Sequence, residues 1–157
     1  MPLTHPTVRH VQAALRAAGA AGEPIALPDS APTAVAAAAQ LGCAVGAIAN
    51  SLIFNADGEP LLILTSGAHR VDTGHVAARI GVSAINRADP EFVRRHTGMA
   101  IGGVAPIGHP EPIRTLVDHW LKQYDQVWAA AGHAHTVFPT TFDELLRITG
   151  GEAIDVE

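Results

Sequence analysis

The fold class predicted from the sequence is α+β, or mixed α/β with substantial antiparallel pairing. Helical segments with recognisable caps alternate with short apolar strands. The two clearest strands flank Asn55-Ala56-Asp57-Gly58, and an Asp-Gly pair between apolar runs is a strong hairpin signal. Hairpins mixed with helices argue against a purely parallel, doubly wound sheet.

The helices are predicted from capping residues and apolar spacing. The predicted starts are Thr4 or His5 before Pro6, Thr33, Asp72 or Thr73, Asp89-Pro90, and Thr141. The predicted ends are Gly19, Gly42, Gly81, Gly98 and Gly150. Thr141 with Glu144 three residues later forms a capping box, the most complete start signal in the chain.

The predicted strands are short. They are "PIAL", "AIANSLIF", "PLLILTS", "IRTLVD", "QVWAAAG", "HTVF" and "AIDV". In the second of them, Asn50 and Ser51 interrupt an apolar run. A polar pair in a buried strand is either hydrogen-bonded for structural reasons or directed at a site. Local pattern alone favours a structural, hydrogen-bonded Asn50.

The composition is that of a globular protein. The chain has 157 residues, 48% of them hydrophobic and 16% charged, which predicts one domain spanning residues 1–157. Because no uninterrupted apolar run of about 18 residues and no secretion signal occur, neither a membrane span nor export is expected. Cys43, the only cysteine, fits a reduced, cytoplasmic setting and is more typical of a small core residue than of a reactive thiol.

Charge is unevenly distributed along the chain. The formal net charge is -5, from 10 Lys and Arg against 15 Asp and Glu, which argues against non-specific coating of nucleic acid. Half of the cations fall in one central region, namely Arg70, Arg79, Arg87, Arg94 and Arg95. Such a cluster either steers a phosphate-bearing ligand or forms ordinary solvated helix faces.

Several catalytic motifs are absent from the sequence. There is no G-x-S-x-G elbow, no phosphate-binding G-x-x-x-x-G-K-[ST] loop and no paired-cysteine zinc pattern. Among nine histidines, His133 and His135 would share a face of a strand, and His109 could add a third metal ligand. Since no carboxylate or cysteine completes a recognisable set, neither a metal nor another cofactor is expected.

The segment Gly102 to Pro112, "GGVAPIGHPEP", predicts a shaped loop. Adjacent glycines and several prolines exclude a regular helix or a central strand. Glycines let backbone N–H groups approach a ligand closely, so the loop could present donors to a developing oxyanion. The alternative is an ordinary turn.

Five segments that cover nearly the whole chain, in order and with similar spacing, resemble one family. They are "ANSLIFNADGEPLLILTSG", "HRVDTGHVA", "ADPEFVRRHTG", "IGGVAPIGH" and "YDQVWAAAGHAHTVFPTTFDELLRITGGEAIDV". On these segments the chain resembles the YbaK/ProX family of aminoacyl-tRNA editing domains, which also occur inserted in bacterial prolyl-tRNA synthetases. The resemblance implies a mixed, mostly antiparallel, barrel-like sheet surrounded by helices.

The resemblance also implies an activity and a site. Family members hydrolyse the ester between tRNA, often tRNA for proline, and a wrongly attached small amino acid. The expected function is a free-standing aminoacyl-tRNA deacylase, monomeric or homodimeric, that acts on aminoacyl-tRNA with or without a synthetase partner. The catalytic positions that the resemblance implies are Asn50, Gly103 and His135. The substrate-binding positions that it implies are Ser51, Thr65, Ser66, Gly67, Arg70, Gly102, Val104, Ala105 and Pro106.

Asn50 departs from the family pattern. Members commonly have a lysine there, whereas the only lysine of this chain, Lys122, lies in a segment that does not match that position. An amide supplies two donors and one acceptor but no charge, and loss of a charge-assisted bond costs about 1.5–3 kcal/mol, roughly 10- to 100-fold in rate. A neighbouring arginine such as Arg70 is a candidate for compensation.

Three functions remain open on the sequence alone. The first is an active deacylase with a neutral Asn50. The second is a catalytically altered or inactive member that binds aminoacyl-tRNA or a small amino-acid-like ligand without turnover. The third, which the residues favour least, is a metal-dependent hydrolase that uses His109, His133 and His135.

Overall fold

The structure, a computed structural model, describes residues 2–31 and 33–157. Within these ranges five α-helices pack on an eight-stranded mixed sheet. The helices are α1 (Pro6–Ala17), α2 (Ala34–Leu41), α3 (Thr73–Ile80), α4 (Pro90–Thr97) and α5 (Phe142–Thr149). The strands are β1 (Ile25–Ala26), β2 (Ile48–Ala56), β3 (Glu59–Ser66), β4 (Ile85–Arg87), β5 (Arg114–Asp118), β6 (Val127–Ala130), β7 (Thr136–Thr140) and β8 (Glu152–Ile154). Short 3-10 helices cover Pro2–Thr4, Val45–Ala47 and His119–Gln123.

The helix boundaries confirm the predicted caps. Thr33 and Thr141 accept the backbone N–H groups of Ala36 and Glu144 through their hydroxyls. The glycines that end α2, α3, α4 and α5 all adopt the left-handed conformation, with φ between 64° and 76°. Local chemistry therefore determines where these helices start and stop.

The strand order confirms a mixed sheet. The order is β1-β7-β6-β2-β3-β5-β8, and β4 pairs with β2 away from this path. Four pairings are antiparallel and three are parallel in the described residues. The barrel-like closure that the resemblance implied is not confirmed, because β1 and β8 form the two ends of the strand order with no pairing between them in residues 2–31 and 33–157.

The predicted hairpin is present between β2 and β3. Ala56 opposes Glu59, so Asp57 and Gly58 form a two-residue turn. Both have positive φ, 53° and 93°, as a type I′ turn requires. The Asp57 carboxylate also accepts the backbone N–H groups of Ser83 and Ala84, which ties the turn to the start of β4.

Strand β4 was not predicted. It is only three residues long and reads Ile-Asn-Arg, which is too short and too polar to produce a strand pattern. It pairs with Phe54, Asn55 and Ala56 at the carboxyl end of β2, whereas β6 pairs with Ile48 and Ala49 at the other end. A gap therefore remains along the middle of β2.

The two faces of the sheet carry separate cores. Leu62 and Leu64 of β3 belong to a large apolar cluster that also contains α4 and α5 side chains. Leu61 and Ile63 point the other way, into a cluster that contains Val76 of α3. None of the helices in the described part of the chain is long and apolar enough to cross a membrane.

Candidate functional site

A cavity of about 360 Å³ opens at the gap beside β2. Strand β2 forms its wall with every residue from 48 to 54. The remaining lining residues come from α2 and the residues before it, from β4 and α4, from the turn after α4, and from β6 and β7. They are Ala31, Thr33, Ala34, Ala37, Arg87, Ala88, Val93, Ile101, Gly102, Val104, Trp128, Ala130, Ala134, Thr136 and Val137.

The cavity exists because the middle of β2 has a neighbouring strand on one side only. Residues 50–53 pair with β3, but in the described ranges no strand pairs with their other edge, between the ends of β4 and β6. Such an edge presents backbone donors and acceptors that a ligand can use. Asn50 and Ser51 lie at the start of this open stretch.

Three polar side chains at this edge have unused hydrogen-bonding capacity. Thr65 lies directly opposite Asn50, on the same face of the sheet, and only 1% of it is exposed. The hydroxyls of Thr65 and Ser51 are buried and have no hydrogen-bond partner in residues 2–31 and 33–157. The half-buried Asn50 amide also makes no hydrogen bond to any other described residue. Ser51 follows Asn50 on the strand and therefore points to the opposite face, the side of Leu64. Since buried polar groups are normally satisfied, these unpaired groups on the two faces of β2 indicate that a ligand in the cavity supplies partners to Asn50 and Ser51, which line it.

The two ends of the cavity differ chemically. Toward α2 the walls are small and apolar, formed by Ala34, Ala37 and Ile48 together with Trp128. At the other end, Arg87 is the one charged side chain among the described lining residues, and it is exposed. The cavity therefore suits a ligand with a small apolar group at one end and negative charge at the other.

The predicted glycine-rich loop contributes one rim of the cavity. Gly102 and Val104 line it, whereas Ala105 and Pro106 are buried behind them. Gly102 has φ 92°, and Gly103 donates its N–H to the Ala100 carbonyl at 3.1 Å, which closes a tight turn.

The backbone donors of this loop are partly engaged. Besides the Gly103 N–H, the Ala105 N–H is occupied, because it points to the Met99 sulfur at 3.2 Å. The Val104 N–H has no acceptor in the described parts of the chain. The Gly102 N–H likewise has no acceptor there, so two amides beside the cavity are available to a ligand.

Histidines hold the loop and the neighbouring turn. The half-buried His109 ring bonds through Nε2 to the Ala105 carbonyl at 2.8 Å, and burial lowers the pKa of His109 below its ordinary value. Burial, His5 and His135 likewise lower the pKa of His133, whose ring centroid lies 5.4 Å from that of His135. His133 and His135 lie in the turn between β6 and β7, so they do not share a strand face, and the strand predicted to start at His135 starts one residue later, at Thr136.

The lowered pKa of His109 predicts that acid destabilises the fold. The folded protein binds a proton at His109 less readily than the unfolded chain does, so unfolding takes up a proton below the ordinary pKa of 6.5. Stability should be fully present above that value and fall as the pH decreases. In urea titrations between pH 7 and pH 5, His109→Gln, which keeps a donor for Ala105, should lose less stability than the wild type. Parallel losses in the two proteins would contradict this expectation.

The structure brings some of the predicted site residues together and separates others. Asn50, Ser51, Gly102 and Val104 line the cavity, and Thr65 and Gly103 lie directly beside lining residues. His135 is not among the residues that line the cavity, although its neighbours Ala134 and Thr136 are. No three or more His, Cys, Asp and Glu side chains in the described ranges form a group that could hold a metal ion.

Ser66, Gly67 and Arg70 follow β3 but make other contacts. The Ser66 hydroxyl donates to the Gly46 carbonyl at 2.7 Å, and its N–H donates to the buried Asp118 carboxylate at 3.0 Å. A side chain at Gly67 would collide with the Val45 carbonyl and approach Ala34, so this glycine allows α2 to pack closely. Arg70 is exposed, and its backbone N–H donates to Glu157. These residues support the wall of the cavity or lie outside it.

One whole side of the cavity carries no signal in the sequence. The small residues of α2 looked like an ordinary core helix, and nothing in the local pattern placed Trp128 or Val93 near Asn50. The arginine cluster was the one signal that could have identified Arg87.

Fold and cavity define a mixed sheet-and-helix domain with a cavity at a free strand edge, beside which lie unpaired hydroxyls, an amide and one arginine. The chain belongs to the family described as the aminoacyl-tRNA editing domain, whose sequence model matches residues 28–148.

Similar proteins and solved structures support this family membership. A crystal structure described as a candidate trans-editing enzyme for prolyl tRNA synthetase is 40% identical, superposes with a TM-score of 0.91, and matches over 97% of each chain. The uncharacterized protein YwhH of Bacillus subtilis is 31% identical over 74% of this chain and 74% of its own length. The proline–tRNA ligase of Levilactobacillus brevis is 28% identical over 55% of this chain, and the match spans 15% of the ligase.

Proposed function

We propose that this chain is an aminoacyl-tRNA deacylase that acts in trans and hydrolyses the ester of a small, wrongly attached amino acid on tRNA, with tRNA for proline as the first candidate. The observation that carries the proposal is the set of polar side chains without partners at the middle of β2. Asn50 and Ser51 line the cavity from opposite faces of the strand, and the buried Thr65 lies beside Asn50 on β3. Family membership and similarity to a candidate trans-editing enzyme over the full length of both chains support it.

The shape of the cavity supports a small aminoacyl group. The alanine-lined end beside α2 leaves room for a short side chain and offers it apolar contacts. The polar edge of β2 would then face the ester. The rejection of larger residues would follow from the lack of space, not from any repulsive charge.

Hydrolysis of the aminoacyl ester depends more on the positioning of water and ester than on acid–base side chains. No Asp, Glu, His, Lys or Cys is among the described lining residues, so a general base from the cavity wall is not part of the proposal. An aminoacyl ester is already reactive. Water attacks the carbonyl carbon, the ester oxygen leaves as the ribose hydroxyl after taking a proton, and the Asn50 amide and Val104 N–H stabilise the oxyanion.

A panel of mischarged tRNAs tests the proposal. Purified protein should release small amino acids such as alanine, serine or cysteine from tRNA for proline, and should leave correctly charged prolyl-tRNA intact. Release is followed with radiolabelled amino acid or labelled terminal adenosine. Absence of hydrolysis across the panel at micromolar protein would refute the deacylase.

Thr65→Val should separate stability from activity. Because the Thr65 hydroxyl is buried without a partner, the isosteric valine should leave stability unchanged or raise it by up to about 1 kcal/mol. The same change should lower kcat/KM several-fold if the hydroxyl forms a hydrogen bond to the bound substrate. Urea unfolding and deacylation kinetics measure the two effects.

Thr97→Val is the matched control for this substitution. The Thr97 hydroxyl is buried but satisfied, since it donates to the Val93 carbonyl at 2.7 Å and accepts from the Met99 N–H at 3.0 Å. Its removal should therefore cost about 1–3 kcal/mol. Equal destabilisation by both variants would show that Thr65 is a structural residue.

A further inference from the structure

Three exposed arginines belong to β4 and α4, two consecutive elements that both contribute to the cavity wall. Arg87 ends β4 and lines the cavity itself. Arg94 and Arg95 belong to α4, which buries Phe92 and also Val93, a lining residue. Because Val93 faces inward, the next two positions of the helix project to solvent, and both side chains are exposed.

These arginines form no ion pair with any described residue, although the Arg95 guanidinium lies over the Phe92 ring, 5.8 Å from the ring centroid. In residues 2–31 and 33–157 no carboxylate oxygen lies within 4.0 Å of a guanidinium nitrogen of these three arginines, which is the limit for an ion pair. Arg16, Arg114 and Arg147 each have such a partner. Glu91, the acid in the first turn of α4, pairs with neither Arg94 nor Arg95, although residues three and four apart on a helix are neighbours.

The unpaired charge stands out against the rest of the chain. With a formal net charge of -5, the protein as a whole repels a polyanion, whereas in residues 87–95 three arginines outnumber the two acids Asp89 and Glu91 and leave a locally positive region beside the cavity. Guanidinium groups match phosphate geometry and hold it through paired N–H donors. The region is continuous with the cavity through Arg87 and lies opposite its alanine-lined end.

We infer that Arg87, Arg94 and Arg95 form the surface on which the backbone phosphates of the tRNA acceptor end dock. The tRNA then reaches the cavity across α4, its terminal nucleotide enters past Arg87, and the amino acid side chain points toward α2. This inference rests on the proposed function and adds the direction from which the substrate arrives.

Binding of uncharged tRNA tests the surface without requiring catalysis. The double variant Arg94→Gln/Arg95→Gln should weaken binding about tenfold or more at moderate salt. The slope of log K against log salt should become shallower by roughly 1.4–1.8, since each lost phosphate contact contributes about 0.7–0.9. Arg87→Gln, measured separately, should lower the slope by roughly half as much.

Arg79→Gln/Arg114→Gln is the matched control, because it also removes two positive charges. Arg79 lies on α3, which packs on the face of the sheet opposite α4, and Arg114 lies on β5. This control should keep the wild-type salt slope. An equal loss of slope in the control and in the α4 variant would show a general charge effect and overturn the inference.

Kinetics distinguish failure of the surface from failure of the proposed function. The α4 variant should raise KM for mischarged tRNA and keep kcat, and it should hydrolyse an aminoacyl ester of adenosine, which lacks backbone phosphates, as fast as wild type. Normal tRNA affinity in a variant that still deacylates would overturn the docking surface and leave the proposed function intact. Weakened tRNA binding by the α4 variant, in a protein that deacylates nothing, would uphold the surface and refute the deacylase.

Discussion

Asn50→Ala is expected to lower kcat/KM for deacylation roughly 10- to 100-fold. The Asn50 amide stands at the start of the open edge of β2, opposite the buried Thr65, and has no partner among the described residues. Because its donors are free and half-buried, they can bond to an oxyanion that forms in the cavity. Alanine removes the donors and leaves the strand pairing intact. Single-turnover deacylation of a mischarged tRNA measures the loss.

Two further variants define what Asn50 does. Asn86→Ala removes the same amide from an exposed position on β4 and should leave the rate within a factor of two or so of wild type. Asn50→Lys restores the residue that the family resemblance implies and should be at least as active as wild type, because a charged donor is the stronger one. An inert wild type with an active Asn50→Lys would favour the alternative, a binding module that has lost turnover. An Asn50→Ala variant with wild-type kcat/KM would show that the amide takes no part in deacylation.

Gly103→Ala is expected to abolish most activity and to cost about 1–3 kcal/mol of stability. A Cβ at this position would lie 2.9 Å from the His133 Cα and 3.0 Å from its backbone N and C. Since these are backbone atoms, they cannot rotate away, and the loop or the β6–β7 turn must move. Gly102 and Val104 line the cavity on either side, so the displacement reaches the substrate, and a shift of about 1 Å can cost about 100-fold in rate.

Gly74→Ala is the control for this change. The nearest atom to a Cβ there is Asp72 Oδ1, at 3.7 Å, and the residue lies in the first turn of α3. Alanine should therefore be neutral or should stabilise by up to about 1 kcal/mol. Thermal unfolding and deacylation of both variants are measured together. A fully active Gly103→Ala would mean that the loop does not need its close approach to His133.

The fold was largely predictable because its boundaries are set by local chemistry. Thr33, Thr141 and the glycine caps determine helix ends through bonds within one or two turns, and Asp57-Gly58 determines the hairpin through its own backbone preferences. Strand β4 escaped prediction since a three-residue polar strand is stabilised by its neighbours, not by its own pattern.

The site was only partly predictable. Asn50 and Ser51 stood out as polar residues in an apolar strand, and the glycine-rich segment stood out by composition, and both contribute to the cavity. The alanines of α2 and Trp128 could not be assigned to it, because small and apolar residues have the same pattern whether they fill a core or line a pocket.

The sequence by itself determined the helices, the hairpin, the anomaly at Asn50 and the resemblance to an editing family. The tertiary structure alone decided that β4 and β6 leave the middle of β2 unpaired, and that Asn50, the loop at Gly102 and the arginine at position 87 line one cavity there. The reason is physical. Caps and turns are bonds between near neighbours along the chain, whereas a gap in a sheet results from which distant strands pair and where each pairing ends.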